Sequence, residues 1–189
     1  MYDNTCRFLA ENFSADFASW LLGKSVTLTE IQPSELSLDP IRADAMILLQ
    51  SDESILHLEF QTQPKPEIPF RMLEYRVRGQ RRYKDKPMQQ VVIYLKRTRS
   101  ELVYQTYYEL ELERTRHEFD VIRLWEEPAS LFLQYPGLLP FATLAQSESP
   151  EGMLRQVTQI VDQIEDTTTQ ENLRAASAIL SGLRCAIRC

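Results

Sequence analysis

An α/β protein is the expectation from three features of this chain. Near the N-terminus Phe8, Leu9, Phe13, Phe17, Trp20 and Leu21 recur at helical spacing. Three short runs then follow up to Phe60, each too short for a helix and set off by polar or proline-bearing segments. A second helical pattern, from about Phe70 to Tyr83, leads into Gln89-Gln-Val-Val-Ile-Tyr-Leu-Lys96, whose nearly continuous apolar character is that of a buried central strand. The order is helix, strand, strand, strand, helix, strand.

Taken in turn, Asp3 can cap the first helix and Gly23 can stop it. Its aromatic stripe is a core face. Val26 to Ile31 alternates as a strand does, and residues 32–40 form a loop rich in proline, serine and acids, with Pro40 disfavouring helix in the residue before it. That loop leads into Arg42 and Asp44, so it should border any cleft built there. Ala45 to Leu49 and Ile55 to Phe60 are two apolar runs around the polar Ser51-Asp52-Glu53-Ser54, a hairpin signal. With a connection of two or four residues, Gln50 faces Ile55 and Asp44 faces Gln61. Directly opposed residues share a face and strands alternate, so Asp44, Glu59 and Gln61 project from one side. His57 falls on that side by the same register. A one-residue slip would separate them.

The acids are out of place in such company. Ala45, Ile47, Leu49, Leu56, Leu58 and Phe60 make one face of the hairpin apolar, and Met46, Leu48 and Ile55 make most of the other so. A carboxylate in a strand covered on both sides is unfavourable unless paired or bound to a cation, and two on one face repel each other. A divalent metal removes both penalties.

An Asp at the start of one strand, Glu-x-Gln near the end of the next and a helix opening Phe70-Arg71-Met72-Leu73-Glu74-Tyr75-Arg76 resemble the PD-(D/E)XK nuclease signature, with Gln61 in place of the usual lysine. Within that superfamily the likeness is to the recombination-promoting nuclease and putative transposase family of bacteria, over roughly residues 1–145. The resemblance implies a restriction-endonuclease-like αβββαβ core with a mixed central sheet, followed by C-terminal helices. It also implies hydrolysis of DNA phosphodiesters with Mg²⁺, or Mn²⁺ in its place. Asp44, Glu59 and the backbone carbonyl of Phe60 would hold the ion, which prefers oxygen ligands. Gln61 would orient the attacking water but cannot supply an ammonium's charge, leaving Arg71 at the helix start to grip phosphate. Tyr75, one turn on, is a candidate hydrogen-bond donor to phosphate or to the metal's shell, and Glu11 a candidate extra acid on the first helix. The bland readings are an ion pair between Arg71 and a hairpin acid, a core role for Tyr75 and His57, and a surface position for Glu11.

The net charge of −6 argues against a generally basic nucleic-acid binder, yet residues 70–86 carry seven basic and two acidic side chains, a local +5 that leaves −11 elsewhere. Arg71, Tyr75, Arg78 and Arg82 share a helix face, Met72, Leu73 and Val77 can pack inward, and Arg78, Arg81 and Arg82 are the candidate DNA contacts. No apolar run is long enough to span a bilayer and no signal segment opens the chain, so a cytoplasmic protein is expected. Cys6, Cys185 and Cys189 lack zinc-ligand spacing and should be reduced thiols.

Beyond the core, Glu101 to Arg114 suits strand better than helix, and His117 to Trp125 reads as a strand extending the sheet. Pro128 opens a helical turn, and Tyr135 to Phe141 is an irregular apolar loop. Two helices end the chain, about Pro150 to Ile164 with Ser149 as cap and about Thr169 to Arg184 with Thr168 and Glu171 as a capping box. Residues 146–189 thus form a helical appendage, short for the family, that could serve dimerisation or simply shield the sheet. A dimer would suit duplex cleavage. Two rival functions remain: a PD-(D/E)XK-like module that binds nucleic acid or protein without cutting, and an acidic interaction module in which Asp44 and Glu59 make structural ion pairs with Arg42 or Arg71.

Overall fold

The computed structural model describes residues 2–31, 46–110 and 114–185. Asp44, Arg42, the loop 32–40 and Cys189 lie outside them. The chain is an α/β protein: α1 (Tyr2–Asn12) and α2 (Ser14–Leu22) precede β1 (Thr29–Glu30), β2 (Met46–Gln50) and β3 (Ile55–Gln61), then α3 (Ile68–Arg82) and β4 (Met88–Tyr94). β5 (Tyr107–Leu110), β6 (Thr115–Glu118) and β7 (Asp120–Arg123) follow, and α4 (Leu139–Ala142), α5 (Pro150–Val161) and α6 (Thr167–Cys185) complete the described chain.

The main sheet has five strands in the order β1-β2-β3-β4-β7 and is mixed, with β1, β2 and β3 antiparallel and β4 and β7 added in parallel. The hairpin has the expected register. Gln50 faces Ile55 across the four-residue connection Ser51–Ser54, where the Ser51 amide donates to the Ser54 carbonyl at 2.9 Å. The Ser51 hydroxyl accepts from the amides of Glu53 and Ser54, each at 3.2 Å, a serine-stabilised turn.

Both faces of the hairpin are buried, as its composition anticipates. Ile47, Leu49, Leu56, Leu58 and Phe60 join Val91 and Ile93 of β4 in a large core that also takes in Leu9, Phe17, Phe132, Phe141, Val157, Leu173 and Leu180. Phe60 stacks on Phe141 with ring centroids 5.9 Å apart. The segment after residue 145 therefore contributes to the same core as the sheet. The opposite face is covered by α3, and its apolar contacts form two separate clusters: Ile31, Leu48, Ile55, Tyr75 and Met88 in one, and Ile68, Met72, Val92, Tyr94, Val103 and Phe119 in the other.

Several elements differ from expectation. The first helix breaks at Phe13, whose backbone is non-helical (φ −123°). The cause is 124 residues further along: a Cβ on Gly137 would sit 2.1 Å from Phe13 Cβ, so the two chains touch at a place only glycine can fill. The Gly137 amide donates to Asp16 Oδ2 at 2.8 Å, fixing the contact. Asp3 lies in the first turn of α1 rather than capping it. Gly23 does end α2, in the left-handed conformation (φ +64°). β1 is shorter than the expected 26–31 strand.

Residues 101–104 form a 3₁₀ turn instead of strand. The stretch 117–125 is divided: β6 pairs with β5 in a separate two-stranded ribbon, and only β7 extends the sheet. The apolar 135–141 segment contains a 3₁₀ turn and α4, both buried. Ser149 caps α5, accepting from Gly152 N at 3.0 Å. α6 begins earlier than expected, and Asp166 rather than Thr168 supplies its cap by accepting from Thr169 N at 2.7 Å. No helix among the described residues is long and apolar enough to cross a membrane.

Candidate functional site

Alternation along β3 puts His57, Glu59 and Gln61 on the face beneath α3, and all three are buried. Their direct neighbours on β4 are Gln90, Val92 and Tyr94. A row of polar side chains thus runs between the two apolar clusters under α3. α3 starts with Pro69 in its first turn, a position where proline suits a helix, and this sets Arg71 over the strand end.

Glu59 is the centre of the row. Its Oε1 accepts from Gln61 Nε2 at 2.8 Å and lies 3.0 Å from Arg71 Nη2. Glu59 is 1% exposed while the Arg71 side chain keeps 24% of its surface, so the guanidinium stands between the carboxylate and solvent. Burial drives the Glu59 carboxyl up to about 7, against the opposing pull of Arg71, Gln61 and Lys65, while Asp3 adds to the rise. Among the described residues its other oxygen, Oε2, is buried with no hydrogen-bond partner. A buried carboxylate oxygen without a donor is the kind of atom that a cation or water satisfies. Among the described residues no group of three or more His, Cys, Asp or Glu side chains converges to hold a metal.

His57 is fully buried and lies in a network: Gln90 Nε2 is 2.8 Å from His57 Nδ1 and donates to the Met72 carbonyl at 2.8 Å. The ring of Tyr75 meets it edge-on, centroids 5.2 Å apart. Burial and the nearby Arg71 and His117 push the His57 imidazole down to about 3. The 4.0 Å between His57 Nε2 and Glu59 Oε2 therefore separates a neutral ring from the carboxyl and is too long for a hydrogen bond.

The expected residues are thus partly assembled. Glu59, Gln61, Arg71, His57 and Tyr75 come together, Tyr75 as a buried aromatic of the apolar layer whose hydroxyl is pushed up chiefly by burial. The Phe60 side chain points into the opposite core, and the described β2–β3 pairing ends at Met46 facing Glu59. Glu11 has a different partner, Arg7 at 3.3 Å, which also reaches Glu30 at 3.2 Å. Arg78 pairs with Glu74 at 2.5 Å, while Arg81 and Arg82 are exposed. Val77 is 52% exposed and does not pack inward. It lies on the outer side of α3 with Phe70, 50% exposed, which touches Tyr108 of the ribbon.

Sequence reasoning missed Gln90, Lys65, Tyr94 and the approach of Asp3. Gln90 left a trace, as a glutamine within an otherwise apolar central strand. Tyr94 left none, because parallel pairing of β3 with β4 has no turn to set its register, and Lys65 and Asp3 left none, because a lysine in the β3–α3 connection and an acid in the first turn of α1 look like ordinary surface residues.

What the fold defines is an α/β protein with a mixed five-strand sheet and C-terminal helices. Compared with known proteins, the chain matches no family model, no curated protein and no solved structure.

Proposed function

We propose that this chain is a metal-dependent DNA endonuclease of the PD-(D/E)XK kind, related to the recombination-promoting nucleases and putative transposases and acting in the cytoplasm. The observation that carries the reading is Glu59: a fully buried carboxyl on a central strand, with one oxygen held by Gln61 and Arg71 and the other without a partner among the described residues. Glu59, with Asp44 and the Phe60 carbonyl, would hold Mg²⁺ or Mn²⁺. Bound there, the ion would supply charge to the phosphoryl oxygens and make its water more acidic.

The chain's own groups have distinct tasks in this reading. Gln61 is neutral and has a carbonyl oxygen left over after donating to Glu59, so it can accept a proton of the attacking water and orient it. Arg71 has five donors in a fixed fork. One contacts Glu59, another serves the Tyr75 hydroxyl, and the partly exposed remainder can meet a phosphate arriving from solvent. Arg81 and Arg82, at the far end of α3, would hold the DNA backbone, with Lys65 near Glu59 offsetting charge.

A second reading draws on one observation, the Arg71–Glu59 contact itself. A guanidinium on the carboxylate gives the charge balance a cation would otherwise give, as in the acidic interaction module whose Glu59 makes a structural ion pair with Arg71 and which binds a partner without cutting. Nicking of supercoiled plasmid separates the two. With Mg²⁺ or Mn²⁺ the wild type should nick, and Asp44→Ala and Glu59→Gln should reduce the rate at least a hundredfold. Equal nicking by all three proteins, or none by the wild type with either metal, would overturn the endonuclease reading and leave the binding module.

A further inference from the structure

The amide of Gln90 determines which nitrogen of His57 carries its proton. The Met72 backbone carbonyl can only accept, so the Gln90 atom 2.8 Å from it must be the nitrogen. The same nitrogen lies 2.8 Å from His57 Nδ1. An amide NH₂ has two hydrogens and gives one to each, so Nδ1 is an acceptor and bears no proton. Turning the amide over would set two carbonyl oxygens against each other at 2.8 Å. The orientation seen leaves the buried Gln90 Oε1 without a partner among the described residues.

A neutral imidazole without a proton on Nδ1 has it on Nε2. Among the described residues that buried N–H has no acceptor, and Glu59 Oε2, 4.0 Å away and also buried, has no donor. One water in hydrogen-bonding reach of both atoms would accept from the ring and donate to the carboxylate, satisfying two orphaned groups at once. The same proton makes Nε2 unable to ligate a metal.

We propose that His57 is a positioning residue for Glu59: Gln90 fixes it as the Nε2–H form, and through one buried water it orients the carboxylate oxygen that Arg71 and Gln61 leave free. In the role assigned to Glu59 above, on which this purpose rests, both oxygens are then fixed from within the protein. The free lone pair of Oε2 is thereby aimed. Tyr75, edge-on to the ring, keeps the imidazole from rotating about its side-chain bond.

The test is read first on the full chain without metal. Long-range ¹H–¹⁵N correlation of ¹⁵N-histidine-labelled protein should show His57 with its proton on Nε2, unchanged in Glu59→Gln and lost as the single form in Gln90→Leu. A proton on Nδ1 in the wild type would overturn the proposal, as would Gln90→Leu leaving the spectrum unaltered. Mn²⁺ titration by calorimetry then reads the purpose. His57→Leu should weaken binding by about 10- to 100-fold, the usual range for groups that orient a metal ligand, and His57→Gln, which keeps a side-chain N–H, should restore most of it. If His57→Leu binds Mn²⁺ like the wild type, His57 does not position Glu59. If the wild type binds no Mn²⁺ while the Nε2 proton is found, the endonuclease reading fails and the His57 tautomer stands.

Discussion

At the scale of single residues, His57 and Glu59 titrate in opposite senses. Glu59 binds its proton more tightly folded than unfolded, so its burial removes stability as pH rises from 4.5 to about 7. His57 refuses folded the proton it takes unfolded, so it adds stability as pH rises from about 3 to 6.5. Over the shared span from 4.5 to 6.5 the slopes offset each other. Wild-type stability should change little there. Glu59→Gln should instead gain stability across that span, and His57→Leu should lose it, each by about 3 kcal/mol. Urea titrations at the two ends of the span measure this, and a wild-type slope as steep as that of either variant would contradict it.

Elements differ in how much of their geometry was written locally. The β2–β3 hairpin was legible down to register because its turn residues and its alternation agree, and that register correctly placed His57, Glu59 and Gln61 together. The break between α1 and α2 was not legible, since its cause is the close approach of Gly137. The strand character of β5 and β6 was legible in 101–114 and 117–125, but their pairing into a ribbon apart from the main sheet was not, because strands half open to solvent carry no apolar run that names a partner. The Gly137 contact is testable. Gly137→Ala should destabilise the fold by roughly 3 kcal/mol through overpacking against Phe13. Asp166→Ala, which removes only the α6 cap, should cost about 1 kcal/mol. Similar urea midpoints for the two variants would mean that the α1–α2 joint can yield.

For the whole molecule, the C-terminal helices are held by more than contact. Arg184 Nη1 reaches the carbonyls of Thr143 and Ala145, each at 3.1 Å, and Ser147 Oγ at 3.3 Å. Val157, Val161, Leu173 and Leu180 belong to the core that holds Leu56, Leu58 and Phe60. Deleting residues 146–189 should therefore leave a chain with secondary structure but without fixed near-ultraviolet dichroism, because its sheet face is uncovered. A sharp, cooperative melt of the shortened chain would show that the N-terminal part folds alone. The polar row beneath α3 had been legible as a misplaced acid, whereas the sharing of one core by both ends of the chain had not, because apolar stripes do not name their partners.

The polar row beneath α3 also has a meaning for laboratory evolution. It interrupts an apolar layer that could otherwise be continuous, and replacing buried charged groups jointly with well-packed apolar ones is often neutral or stabilising. A library randomised together at His57, Glu59, Gln61, Arg71 and Gln90 and sorted only for protease resistance should converge on aliphatic side chains. The same library sorted for chemistry should keep the polar set, and the divergence between the two pools would measure how far this protein trades durability for a task.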